Sequence, residues 1–217
     1  MHATLDQWVT FVFDHPVAET AWHFDVDAPY LLMPAAHTAT LVAETFERSG
    51  ELLRRFTDAE LNQGFWFLIS SGSSDYMFCL TDESVASPLR QRALRSFVPL
   101  FRDVMAVRCT PALAHRSEPG SPVNSACYMW WDLLPLAGFW EQGRPPEPIH
   151  AEALAVLAEI LEIPHDACRE SALHGLGHLA LFHPEAVPII DAFMTKSPRL
   201  RPELLAYAKQ ARTGQIL

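Results

Sequence analysis

The chain has 217 residues, 49% of them hydrophobic, which is enough apolar mass for one well-cored domain. It carries 16 basic against 26 acidic residues, and a formal charge of −10 repels phosphate backbones, so nucleic-acid binding is not expected. No apolar run is long enough to span a membrane, and the opening MHATLDQW lacks a basic start followed by an apolar block, so a cytoplasmic protein without a signal peptide is expected.

In chain order, Leu5–Phe13 reads as a short helix or a strand, ended by Asp14-His15-Pro16. Asp25 and Asp27 fall in a following loop and lack the remaining oxygen ligands of a calcium loop. Pro34 opens a helix to about Arg48, and a short helix covers Glu51–Phe56. Thr57 and Glu60 form a capping box for the next helix, which ends in the turn Ser70-Ser71-Gly72. That serine cluster lacks the G-x-S-x-G pattern of a nucleophile elbow. Ser87-Pro88 starts another helix, which Pro99 should kink or split.

Residues 110–123, TPALAHRSEPGSPV, read as a mobile linker and the natural place for a subdomain hinge. It would separate an N-terminal helical segment, residues 1–109, from a C-terminal HEAT-like one, residues 124–217. From Asn124 the segment ACYMWWDLLPLAGFW is apolar nearly all round except Asp132, and it is expected in the core with a bend at Pro135. GRPPEPI over 143–149 is a second, stiffer linker. Ala151–Leu161 is an amphipathic helix, and Pro202 starts the last one, which ends at Gly214. The cysteines Cys79, Cys109, Cys127 and Cys168 are widely spaced, with no C-x-x-C, and read as buried thiols.

The stretch Asp166–Met194 predicts two short antiparallel helices meeting at His183-Pro184, with Asp166 as N-cap of the first. Gly175 and Gly177 inside that helix cost about 1 kcal/mol each relative to Ala, which points to a close helix neighbour. R-E-S-A-L-H-G-L-G-H-L followed by P-E-A-V-P-I-I-D-A-F resembles one HEAT-like repeat of phycobilisome-lyase-type α-solenoids, over about residues 166–196. The resemblance implies an α–α superhelix and an interaction surface. SPLRQRALRSF, 79 residues earlier, echoes the same pattern.

Two groups of side chains carry potential chemistry. His174 and His178 are four apart on one helix, which is metal-ligand spacing, but the His-Glu pairs of iron-holding HEAT-like hydroxylases are absent. They read first as exposed or interface histidines. Asp132 beside Trp130 and Trp131 reads either as an acid or base of raised pKa or as a tie to an arginine or an indole N–H; one tryptophan is a candidate binding anchor. The expectation is thus a single all-α domain, a HEAT-like helical stack with an irregular N-terminal region. It is expected to act as a non-catalytic protein-binding scaffold or immunity-like neutraliser of a protein partner, basic by charge, with no metal or cofactor. The alternative is a metal-dependent enzyme or small-ligand binder with a pocket near Trp131, Asp132, His174 and His178.

Overall fold

The computed structural model of the chain describes residues 3–25, 27–136 and 148–216. Among these residues every regular element is helical: α1 (Leu5–Phe13), α2 (Ala35–Glu47), α3 (Ser49–Leu52), α4 (Asp58–Ile69), α5 (Ser87–Arg95), α6 (Phe97–Leu100), α7 (Ala106–Arg108), α8 (Val123–Leu133), α9 (Pro148–Leu161), α10 (Asp166–Ala180), α11 (Ala186–Lys196) and α12 (Pro202–Ala211). Leu5–Phe13 is a helix because Thr4 and Gln7 cap it reciprocally, and Thr57 with Glu60 does the same for α4. Pro99 does not stop the chain. It sits in α6, and Phe101–Met105 follows as a π-helical turn before α7, so the segment is split rather than ended.

Several helix ends differ from expectation: the short helix expected over Glu51–Phe56 is α3 at Ser49–Leu52, α9 starts at Pro148 and α12 ends at Ala211. The N-cap of α10 is His165, with no side-chain cap, and Asp166 is its first helical residue. There the carboxylate opposes the positive end of the helix dipole instead of closing its N–H groups. Likewise Ser87 and Pro88 are the first residues inside α5, with Ala86 outside. Pro188 lies in the first turn of α11, where it removes no intrahelical bond. The bend expected at Pro135 is realised as the end of α8 at Leu133, and most of the 143–149 linker falls outside the described residues.

One apolar core runs from Trp8 to Ala211. α5 packs on both α2 and α9, and α8 on both α4 and α10, so the two halves of the chain share that core. Trp130 is its centre: Phe46, Phe65, Phe97 and Phe101 surround the indole with ring centroids 5.4–5.9 Å away, at angles of 63–90°. Trp131 is also buried, against Phe97 and Phe101. Neither tryptophan is therefore a surface anchor. All four cysteines are buried free thiols, as their spacing indicated.

Glycines explain how closely the helices approach. A Cβ on Gly175 would lie 2.8 Å from Cγ of Trp131 and 3.0 Å from Cδ2 of Leu157, so α10 can approach α8 and α9 this closely only without one. A Cβ on Gly177 would lie 2.9 Å from the Ile216 side chain and 3.1 Å from Cα of Ala211 in α12.

The stretch expected as a mobile linker is laced down. Asn124 accepts N–H bonds from Thr110 (3.0 Å) and Ser121 (2.9 Å) and donates to the Thr110 carbonyl (3.0 Å). Leu113 is fully buried, and Arg201, the residue just before α12, pairs with Glu118. Composition marks this stretch as irregular backbone, but side-chain acceptors hold it in place.

Candidate metal centre

The site lies where α8, α10 and α12 meet. Helical spacing of four places Tyr128 and Asp132 on one face of α8, and Glu170, His174 and His178 on one face of α10. The small Gly175 lets those faces approach, and Tyr207 reaches in from α12.

Three donor atoms converge there. Oδ1 of Asp132 is 2.8 Å from Nε2 of His174 and 2.6 Å from Nε2 of His178, and the two nitrogens are 3.2 Å apart. Oδ1 is itself buried and within ion-pair distance of both nitrogens. The two nitrogens lie within hydrogen-bond distance of each other and of Oδ1, so all three atoms face a common point. Metal–nitrogen and metal–carboxylate bonds are about 2.0–2.2 Å, and donors sharing a tetrahedral ion lie roughly 3.3 Å apart. The sides of the triangle need to open by about 0.1 to 0.7 Å to hold such an ion.

The site has a closed side and an open side. The His174 side chain is 1% exposed, that of Asp132 21% and that of His178 49%. Behind His174 the polar groups continue. Its Nδ1 is 2.5 Å from the Tyr207 hydroxyl, which lies 3.4 Å from the Tyr128 hydroxyl. The His115 ring stacks on Tyr207 at 4.2 Å, and its Nδ1 is 2.5 Å from Oε1 of Glu170. Glu170 is 1% exposed and also accepts the backbone N–H groups of Ala114 (2.9 Å) and His115 (3.0 Å). With its oxygens so occupied, this carboxylate anchors residues 113–118 and is not a free ligand.

Burial opposes the charge on Asp132, but the adjoining imidazoles of His174 and then His178 outweigh it and hold the carboxyl well below the usual carboxylate range. The shift thus runs opposite to the raised pKa in one of the two readings of Asp132, because the partners are imidazoles rather than an apolar wall. Burial pushes the Tyr207 phenol far above its ordinary value, the Tyr128 hydroxyl adds to this, and Tyr128 is itself raised by burial. Both phenols thus keep their protons at neutral pH.

A pH effect follows from Asp132. Its folded pKa is depressed, so its contribution to stability is present above the unfolded value of about 3.9 and is lost as pH falls through the folded value. Metal-free wild type and Asp132→Asn should therefore differ in Tm at neutral pH and converge only as pH drops below about 4. A gap that closes between about pH 8 and 6 instead would assign the effect to a group titrating in the histidine range.

Of the residues singled out in the sequence, Asp132, His174 and His178 come together, while Trp130 and Trp131 belong to the core beneath them. Of the two histidines read as exposed or at an interface, His178 is half exposed and His174 is buried. Asp132 meets two imidazoles, not an arginine or an indole. Tyr128, Tyr207, His115 and Glu170 escape sequence reading. The one signal pointing to any of them is the ladder of Glu170, His174 and His178 at successive four-residue steps. Comparison with protein-family models, with curated proteins and with solved structures finds no match, so the function has to be read from the chemistry of this site.

Proposed function

We propose that the chain is a metal-dependent protein of the enzyme type, in which Asp132, His174 and His178 hold one divalent transition-metal ion. The observation that supports this is the convergence of three donor atoms, two imidazole nitrogens and one buried carboxylate oxygen, within 3.2 Å of one another. Two imidazoles and one carboxylate suit zinc or ferrous iron better than magnesium or calcium, which prefer all-oxygen sites. Three protein ligands leave coordination positions open, as catalytic sites do and structural zinc sites do not. The half-exposed His178 marks the side from which water or a substrate carbonyl or phosphoryl group would reach the ion. A bound zinc ion would supply a water of lowered pKa and polarise such a group.

The test is titration of chelator-stripped protein with Zn²⁺, Fe²⁺, Mn²⁺ and Mg²⁺, followed by metal analysis and thermal melting. The expected result is about one zinc or iron per chain, with stabilisation of about 2.7 kcal/mol at free metal 100-fold above Kd. Retention of no metal, together with an unchanged Tm in millimolar zinc, would sink the proposal.

An interaction role is a second reading, supported by the charge of −10, which favours a basic protein partner. Stoichiometric co-purification of a basic partner from the native host, with dissociation at high salt, would support it; a monomer with no such partner would count against it.

A further inference from the structure

Resting on the metal reading, we infer that Tyr207 is a positioning residue that sets the tautomer and ring orientation of His174, making His174 the preorganised ligand and His178 the adaptable one. When Nε2 of an imidazole binds a metal, its lone pair is committed and the ring proton must sit on Nδ1. That N–H then needs an acceptor, and the group waiting there is the Tyr207 hydroxyl, 2.5 Å away. To accept, Tyr207 must point its own proton elsewhere, and the Tyr128 hydroxyl lies 3.4 Å off in a position to receive it.

The Tyr207 ring is held as well as hydrogen-bonded. His115 stacks on it at 4.2 Å, and Glu170 fixes His115 through the 2.5 Å contact and the backbone N–H of the same residue. Glu170 belongs to α10, one turn before His174. The support therefore leaves the helix at Glu170, crosses His115 and Tyr207, and returns to the helix at His174. Such closure restrains His174 from both ends, so less ordering is left for the moment of binding. His178 is half exposed, its Nε2 faces Asp132 and His174, and no comparable backing is seen for it among the described residues.

The test compares wild type, His174→Ala and Tyr207→Phe by titration with Co²⁺ and Zn²⁺, with the Co²⁺ visible spectrum as the structural readout. Tyr207→Phe keeps the ring and its stack but removes the acceptor. Metal affinity should fall about 10- to 100-fold, as for loss of other outer-shell partners, and the Co²⁺ bands should shift or broaden. If wild type binds one ion, His174→Ala loses it and Tyr207→Phe matches wild type within about threefold with the same spectrum, the inference fails while the metal reading stands. If wild type binds none, the metal reading itself has failed.

Should Tyr207→Phe not fold, long-range ¹H–¹⁵N NMR of zinc-loaded wild type decides the matter. Nε2 ligation with a proton on Nδ1 of His174 that exchanges slowly with solvent supports the inference. Ligation through Nδ1, or a rapidly exchanging proton there, overturns it.

Discussion

Replacing His174 or Asp132 with alanine is expected to abolish stoichiometric metal binding while leaving the helical fold in place. Each substitution takes away one of three protein ligands. The loss should exceed the 10- to 100-fold typical of outer-shell changes, so affinity should drop by more than about 100-fold. The two variants should differ in stability once metal is removed. His174 is buried and backed by Tyr207, so its truncation leaves a hole and strands a hydroxyl. Asp132 reaches toward the open side, and its removal gives up the contacts with His174 and His178 that outweigh its desolvation, without opening a buried hole. His178→Ala should be the mildest of the three in metal-free protein, because that side chain is half exposed. Isothermal titration with Zn²⁺, run beside circular dichroism on the same samples, checks both halves. Unchanged zinc affinity in Asp132→Ala would show that the donor triangle is not the binding site.

Glu170→Ala is expected to be the most destabilising single change near the site, by about 3–5 kcal/mol. The carboxylate is 1% exposed and receives two backbone N–H groups and the Nδ1 side of His115. Alanine would leave these groups in a dry setting, and each unsatisfied buried donor costs about 1–3 kcal/mol. Glu170→Gln keeps a carbonyl oxygen for one of the backbone bonds and should cost less than the alanine change. Because Glu170 orders residues 113–118, the loss should also free His115 from Tyr207, and metal affinity should fall even though Glu170 is not a ligand. Urea unfolding of the metal-free variants measures the first effect. A loss under about 1 kcal/mol for Glu170→Ala would mean that water replaces the carboxylate and that residues 113–118 do not depend on it.

The three proposed ligands are each visible in the sequence as residues of interest, yet the site they form is not. His174 and His178 announce their shared face because helical spacing is a local property. Asp132 lies more than forty positions away on α8, and nothing in its neighbours says which helix it will face. The repeat pattern expected over 166–196 draws attention to that segment as a packing unit, whereas Glu170, His174 and His178 on one face of α10 are where the polar groups gather.

Local chemistry, then, determined most of the secondary structure of this protein. The reciprocal caps at Thr57 and Glu60, the proline starts of α5 and α12 and the apolar spacing of the helices depend on residues a few positions apart, which the chain itself dictates. The glycines of α10 likewise signal a close neighbour without saying which. Tertiary structure alone decided the partners: that Trp131 fills the gap at Gly175, that Glu170 pins a stretch which composition marks as mobile, and that Asp132 and Tyr207 meet His174. Those pairings depend on how helices distant in sequence cross, which rests on summed packing over the whole core rather than on any local pattern.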